Sequence, residues 1–185
     1  MEYNMFYLNV HKAIMKYVRD IVITIVVAIV IFLILQTTIG AVRVYETSSV
    51  PNIMPGDYII VDKVSYIFVQ PQRGEMIILH SPVEENKDLI KRIIALPGDT
   101  IEVRDNQVFV NDIPAKEPYI KEAPSYKYPK QTLPEDNYFV LGDNRNVSAD
   151  SHIGWYALNE DIVGKAWVVY WPFARMQTIK HYKIQ

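Results

Sequence analysis

Two stretches of the sequence carry side chains that could form a nucleophilic pair. The first is a hydroxyl cluster, Thr47, Ser48 and Ser49, ahead of two prolines and a Gly-Asp turn. The second contains Lys91, in an apolar segment that is predicted to be a strand. Burial of such an amine favours its neutral form, which can act as a general base near neutral pH. A serine activated by a neutral lysine needs only two side chains, so Ser48 or Ser49 with Lys91 is a candidate catalytic pair.

A third stretch, from Leu141 to Gly154, holds closely spaced polar residues, including Asp143, Arg145, Ser148 and Asp150. Ion pairs and hydroxyls of this kind suit a shell of groups that orients a catalytic side chain. An Asn/Asp-rich turn after a strand would have the same composition. The residues by themselves leave both interpretations open.

The first two stretches also have ordinary structural explanations. A hydroxyl cluster in a loop is commonly a solvated turn. Lys91 is followed by Arg92 on the other face of the predicted strand, and two cations near a sheet edge can both snorkel to water. The chemical interpretation instead requires that Lys91 be buried.

The composition argues against several other functions. The net charge is −2 and the sequence has no long run of like charges, so nothing indicates nucleic-acid binding. The four histidines are scattered and cysteine is absent, so we expect neither a zinc cluster nor a disulfide framework. No metal or other cofactor is expected.

One apolar segment, residues 21–42, is long enough as a helix to cross a hydrocarbon core of roughly 30 Å. Basic residues precede it, which predicts that residues 1–20 form a cytoplasmic segment. Residues 43–185 would then be an extracytoplasmic domain on the outer face of the plasma membrane. A cleaved signal peptide is the alternative interpretation of the same pattern.

Beyond the apolar segment, the sequence predicts a β-rich domain. Short β-branched segments bounded by Gly or Pro are typical of strands, and Asp105-Asn106 is predicted to form the turn of a hairpin. The predicted strands are Tyr58–Val64, Glu75–His80, Leu89–Leu96, Asn137–Asp143 and Ile162–Trp171. The Pro-rich piece Pro114–Pro134 is predicted to be an excursion outside the core. The predicted fold class is mainly β: an antiparallel β-sheet or barrel-like catalytic domain with one N-terminal transmembrane helix.

Together these stretches resemble the bacterial type I signal peptidases, which are membrane-anchored Ser-Lys leader peptidases. The nucleophile motif of the family aligns with the segment from Ser48 to Gly56-Asp57. The base motif aligns with LIKRIIALPGDTIEV, which places the lysine of the family at Lys91 and its arginine at Arg92. The last motif aligns with GDNRNVSADSHIG, from Gly142 to Gly154.

The resemblance implies a serine endopeptidase that removes signal peptides, with Ser48 as the nucleophile and Lys91 as the general base. The Ser148 hydroxyl would orient the lysine amine. The other supporting residues would be Asp143, Arg145, Asp150 and Arg92. Substrates would be secretory preproteins with small residues at the first and third positions before the cut. The apolar loop residues Tyr66, Ile67 and Phe68, or Trp171 and Phe173, would touch membrane lipid as well, although burial in the core is expected for most of them.

The chain departs from the family pattern at four positions: Glu46, Ser49, Asn52 and His152. Glu46 stands where some members supply an oxyanion-hole donor, and an ionised carboxylate cannot donate. If Glu46 points inward, the lost donor would cost about 10²–10³ in turnover; otherwise it points to solvent. A non-catalytic homologue that binds signal peptides or a partner protease is therefore the alternative function. A related peptidase with a narrower substrate is a third.

Overall fold

The structure is a computed structural model that describes the backbone of residues 2–184 and the side chains of residues 14–184. The chain divides into a helical unit that ends at Thr38 and a second unit that begins at Ile39. Gln185, the last residue of the predicted domain, lies outside the described residues. The side chain of Lys12, one of the basic residues behind the predicted orientation, is also outside them.

The first unit is one helix, α1 (Glu2–Thr38). Its segment Ile14–Thr38 has a mean hydropathy of 2.9 and is long and apolar enough to cross a membrane. Thr24 and Thr38 donate their hydroxyl hydrogens to carbonyls four residues earlier, so these polar groups are satisfied within the helix, as a bilayer requires. The predicted limits need correction: the helix extends further toward the N-terminus and ends at Thr38, and residues 39–42 belong to a strand.

Short strands make up most of the second unit. They are β1 (Ile39–Arg43), β2 (Tyr58–Asp62), β3 (Met76–His80), β4 (Asp88–Ala95), β5 (Thr100–Arg104), β6 (Gln107–Val110), β7 (Ile113–Pro114), β8 (Tyr128–Thr132), β9 (Asn137–Leu141), β10 (Ala157–Leu158), β11 (Ile162–Trp171) and β12 (Gln177–Thr178). One short helix, α2 (Ser65–Phe68), follows β2. Three 3₁₀ turns lie at Ser151–Ile153, Asn159–Asp161 and Phe173–Arg175.

The strands form two antiparallel sheets. The larger has the order β1-β2-β11-β3-β4-β9-β10, with β12 also paired to β11, and the smaller has the order β7-β6-β5-β8. Asp105 and Asn106 join β5 to β6 with positive φ angles of 50° and 59°, as a two-residue hairpin turn requires. The predicted mainly β, antiparallel fold class is confirmed.

The segment Pro114–Pro134 contradicts the prediction that it lies outside the core. It supplies β8, which pairs with β5. Tyr119 and Leu133 are buried in the same apolar cluster as Phe139. Its proline and charge content hid this role, because much of the burial is carried by tyrosine side chains, which combine an apolar ring with a polar hydroxyl.

Candidate active site

The nucleophile loop, residues 44–57, connects β1 to β2. Within it, the main-chain N–H groups of Asn52 and Ile53 donate to the carbonyl of Ser49 at 3.1 and 3.0 Å. Asp57 closes the far end by accepting a hydrogen bond from the N–H of Met54 at 2.9 Å. Local hydrogen bonds therefore fix the backbone that presents Ser48, whose residue is largely buried.

Lys91 and Arg92 lie in the middle of β4, between β3 and β9. Lys91 is 0% exposed and Arg92 is 1% exposed, so snorkelling to water is excluded for both. The Lys91 amine donates to Ser148 Oγ at 2.8 Å. Within residues 14–184, no hydrogen bond joins the Ser48 hydroxyl to this amine. Hydrogen bonds between catalytic groups commonly form or shorten only when the substrate binds.

Burial lowers the pKa of the Lys91 amine, because an ammonium loses its hydration there. The nearby charges act in both directions: the carboxylates of Asp150 and Glu46 raise this pKa and the ammonium of Lys87 lowers it. The net direction is downward. A larger fraction of the amine is therefore neutral and available as a base near neutral pH.

Gly142, directly after β9, lies against both the Ser48 main chain and the Ser148 side chain. A Cβ atom there would lie 2.6 Å from the Ser48 carbonyl oxygen and closer still to the Ser148 hydroxyl, so only glycine fits. Its N–H donates to Asp150 Oδ2 at 2.9 Å. The Asn144 N–H donates to the same Ser48 carbonyl at 2.9 Å. The segment after β9 therefore positions the Ser48 main chain and also contains Ser148, the hydrogen-bond partner of Lys91.

The remaining supporting residues predicted from the sequence form separate ion pairs. Arg92 binds both carboxylate oxygens of Asp143, at 2.9 and 2.8 Å, and the pair is fully buried. Arg145 binds Glu117 in the same bidentate way, at 2.7 and 2.5 Å. Sequence reasoning missed Glu117, because it lies in the segment assigned to an excursion and no local pattern marks it.

Each of the four residues that depart from the family pattern makes a polar contact in the structure. The Ser49 hydroxyl donates to the carbonyl of Ile90 at 3.2 Å. The Asn52 amide donates to Asp143 Oδ2 at 2.7 Å, which links the nucleophile loop to the buried pair of Arg92 and Asp143. These two polar side chains therefore connect the nucleophile loop to the strand and loop that face it.

His152 and Glu46, the other two departures, are both paired with a charged group. His152 Nδ1 lies 2.6 Å from Asp150 Oδ1, and its ring stacks on Tyr126 with centroids 4.0 Å apart. The imidazole thus supplies the side chain that pairs with the buried Asp150 carboxylate. The Glu46 carboxylate is partly exposed and lies 2.7 Å from Lys87 Nζ, so it is paired rather than free in solvent.

A cleft of about 390 Å³ opens beside Ser48. One wall is the segment from Ala41 to Glu46 and the other contains residues 86–88 and Ile90. Both walls are strand edges without a second partner among the described residues, since β1 pairs only with β2 and residues 88–91 of β4 pair only with β3. Such edges can bind an extended peptide through main-chain hydrogen bonds.

A hydroxyl-bearing loop, a buried lysine with a lowered pKa and a cleft that can hold a peptide are the parts that a serine hydrolase with a lysine base requires. The comparisons with known proteins agree with that class. The family model described as "Signal peptidase, peptidase S26" matches residues 14–171. This chain therefore belongs to the signal peptidase family, peptidase S26, which consists of serine endopeptidases.

Two relatives compared over most of their length are also signal peptidases. Signal peptidase I of Leptolyngbya laminosa is 38% identical over 162 residues, covering 83% of this chain and 79% of the relative. Probable signal peptidase I-1 of Synechocystis is 35% identical over 168 residues, covering 86% of each protein. Among solved structures, a signal peptidase I from Enterococcus faecalis V583 is 30% identical, with a TM-score of 0.48 and coverage of 52% of this chain and 97% of that one.

Proposed function

We propose that this chain is a membrane-anchored signal peptidase that cleaves secretory preproteins with Ser48 as the nucleophile and Lys91 as the general base. The observation that carries the proposal is the buried Lys91 amine, which donates to Ser148 at 2.8 Å beside the loop that bears Ser48. Burial favours the neutral amine, which is the form that can accept a proton.

In this mechanism, the Lys91 amine removes the Ser48 proton as Oγ attacks the scissile carbonyl. The main-chain N–H of Ser48 donates to the developing oxyanion, because the ionised Glu46 side chain cannot. The Lys91 ammonium then protonates the leaving amine. The same amine deprotonates the water that attacks the acyl-enzyme, and it returns this proton to Ser48 Oγ as the ester bond breaks. Throughout, Ser148 holds the amine in place and takes no proton itself.

The cleft supports an extended substrate with small side chains near the cut. Two open strand edges can hold the peptide backbone, while the cleft volume of about 390 Å³ must be shared among several peptide residues. Small residues at the first and third positions before the cut alternate to the same face of an extended peptide. They would therefore both face the same side of the cleft.

Four exposed apolar residues of the catalytic unit support an additional contact with lipid: Ile67, Phe68, Trp171 and Phe173. Phe68 is 79% exposed and Phe173 is 69% exposed, contrary to the expectation that most such residues are buried. Trp171 and Phe173 contact each other with ring centroids 4.8 Å apart. Aromatic side chains of this kind suit the interface between lipid and water.

The proposed topology places the N-terminus in the cytoplasm and the catalytic unit outside the plasma membrane. It rests on the basic residues before the apolar span. Because the chain has no cysteine, Glu2→Cys and Lys121→Cys provide clean labelling sites. A membrane-impermeant maleimide should label intact cells carrying Lys121→Cys but label Glu2→Cys only after permeabilisation. The reverse pattern would contradict the topology.

The catalytic proposal is tested by incubating the detergent-solubilised protein with a preprotein that carries an Ala-x-Ala cleavage site. Ser48→Ala and Lys91→Met should each abolish cleavage, while Thr47→Val, which changes the exposed neighbouring hydroxyl, should cleave normally. Equal cleavage by the parent protein and all three variants would overturn the assignment. Binding of the signal peptide without any Ser48-dependent cleavage would instead identify a non-catalytic homologue.

A further inference from the structure

An ion pair joins the two walls of the substrate cleft. Glu46 Oε1, on the wall that leads to Ser48, lies 2.7 Å from Lys87 Nζ, on the wall that leads to Lys91. Glu46 is two residues before the nucleophile and Lys87 is four residues before the base. A peptide that reaches Ser48 along the cleft must therefore pass this contact or displace it.

The other charged residues that line the cleft, Arg43 and Asp88, contact partners that do not lie across it. The Arg43 guanidinium lies over the rings of Tyr45 and Tyr58, at 5.2 and 5.6 Å from their centroids. Asp88 pairs with His80, with 2.8 Å between Oδ1 and Nδ1. Among the described residues of the cleft, the contact of Glu46 with Lys87 is thus the ion pair that crosses it.

Lys87 has a second carboxylate partner, whereas Glu46 has no other cationic partner within residues 14–184. Lys87 Nζ also lies 2.7 Å from Glu84 Oε1, outside the residues that line the cleft. Hydrogen bonds to Glu46 and then to Glu84 raise the pKa of Lys87, so it remains a cation. When the crossing contact opens, Lys87 keeps Glu84, whereas Glu46 is left as an uncompensated anion on the cleft wall.

We propose that Glu46 and Lys87 form an ionic clasp across the substrate cleft, and that Glu46 makes the open cleft prefer cationic to anionic side chains in the bound peptide. The proposal rests on the proposed function, since it takes the cleft as the peptide site. The clasp can open readily, because the side chains of Glu46 and Lys87 are 41% and 34% exposed and such pairs contribute little stability.

The preference follows from the charge left behind when the clasp opens. A lysine or arginine of the peptide replaces Lys87 beside Glu46, while a glutamate or aspartate faces a like charge. Because the contribution of a partly exposed ion pair is small, this difference corresponds to a ratio on the order of tenfold between matched cationic and anionic peptides. High salt should reduce the ratio, because exposed charges are screened.

The test uses fluorescent peptides with an Ala-x-Ala site, in which each residue from the third before to the third after the cut is changed in turn to Lys or Glu. Binding to the full-length Ser48→Ala protein is measured by anisotropy and cleavage by the protein with Ser48. The two alanines of the site are left unchanged. At the position nearest Glu46, the Lys peptide should bind on the order of tenfold more tightly than the Glu peptide.

Glu46→Gln should bring this ratio close to one, while the matched control Glu84→Gln, which removes the carboxylate outside the cleft, should retain it. A ratio that is unchanged by Glu46→Gln, or a preference lost equally in Glu84→Gln, would overturn the clasp. Because binding is read on Ser48→Ala, the outcome is independent of turnover. A charge preference without Ser48-dependent cleavage would overturn the proposed function and leave the clasp standing.

Discussion

The Ser49 hydroxyl donates to the main-chain carbonyl of Ile90 at 3.2 Å. This bond joins the residue after the proposed nucleophile to the residue before the proposed base. On the other side, the Asn144 N–H binds the Ser48 carbonyl at 2.9 Å. The relative positions of Ser48 and Lys91 therefore depend on hydrogen bonds that neither side chain makes itself.

Ser49→Ala should lower kcat by about 10- to 100-fold while KM changes far less, because it loosens the distance between nucleophile and base without removing either. The free energy of unfolding should fall by only about 1–2 kcal/mol, the cost of leaving the buried Ile90 carbonyl without its partner. Steady-state cleavage of an Ala-x-Ala peptide and a urea titration give the two quantities.

The matched control for this prediction is Thr47→Val, which removes the exposed hydroxyl on the other side of Ser48. It should leave both kcat and stability close to those of the parent protein. If Ser49→Ala raised KM and left kcat intact, Ser49 would contribute to peptide binding rather than to positioning.

Gly142→Ala should reduce cleavage at least about 100-fold, because the added methyl group would overlap the Ser48 carbonyl and the Ser148 hydroxyl. The carbonyl belongs to the backbone and cannot rotate away, so the nucleophile loop itself must shift. Gly40→Ala is the control, since its methyl would meet the flexible end of Lys63. Parent-like kinetics in Gly142→Ala would show that the loop can move without loss of function.

The sequence predicted the strands that build the fold because each keeps a local pattern. The β11 prediction matches its observed bounds, and the hairpin at Asp105-Asn106 was marked by turn chemistry. The segment Pro114–Pro134 was misassigned because its buried tyrosines follow no alternation. The end of α1 was misplaced by four residues, because apolar residues 39–42 suit both a membrane helix and an edge strand.

Only those residues of the site that lie in family motifs could be predicted from the sequence. The family motifs named Ser48, Lys91 and Ser148, and the structure brings the last two into contact. The pairing of charges was not predictable, because partners such as Glu117 for Arg145 lie 28 residues apart with no periodic relation. The role of Glu46 was also hidden, since Lys87 approaches it from a distant part of the sequence.

The buried pair of Arg92 and Asp143 should contribute strongly to stability. Asp143→Ala leaves the Arg92 guanidinium buried without its carboxylate, and we expect a loss of about 3–5 kcal/mol in the free energy of unfolding. Lys130→Ala, which breaks the exposed pair with Asp112, should cost about 0–1 kcal/mol. Urea titrations in detergent, followed by tryptophan fluorescence, measure both. Similar losses for the two variants would contradict the buried role.

The pH dependence of cleavage tests whether Lys91 is the base. Since only the neutral amine accepts a proton, kcat/KM should fall as the pH drops through the pKa of Lys91, which burial lowers. A flat profile from about pH 5 to pH 9 would exclude this role, because an essential lysine base has to titrate.

The charges near Lys91 predict opposite displacements of the acidic limb of the pH profile, the range in which kcat/KM falls as the pH drops. The Glu46 carboxylate stabilises the Lys91 ammonium, so Glu46→Gln should move the limb to lower pH. The Lys87 ammonium opposes it, so Lys87→Gln should move the limb to higher pH. Asp150 also raises the pKa of Lys91, but its bond to the Gly142 N–H makes it unsuitable as a probe of charge alone.

Lys121→Gln, an exposed charge change that does not act on Lys91, is the control and should leave the limb in place. The three profiles should be measured at low ionic strength, where the fields of partly exposed charges are least screened. Displacements in the same direction for Glu46→Gln and Lys87→Gln would show that the limb reports a change in the cleft rather than the charge at Lys91. Opposite displacements would show that the titrating group lies within the field of both residues, as Lys91 does.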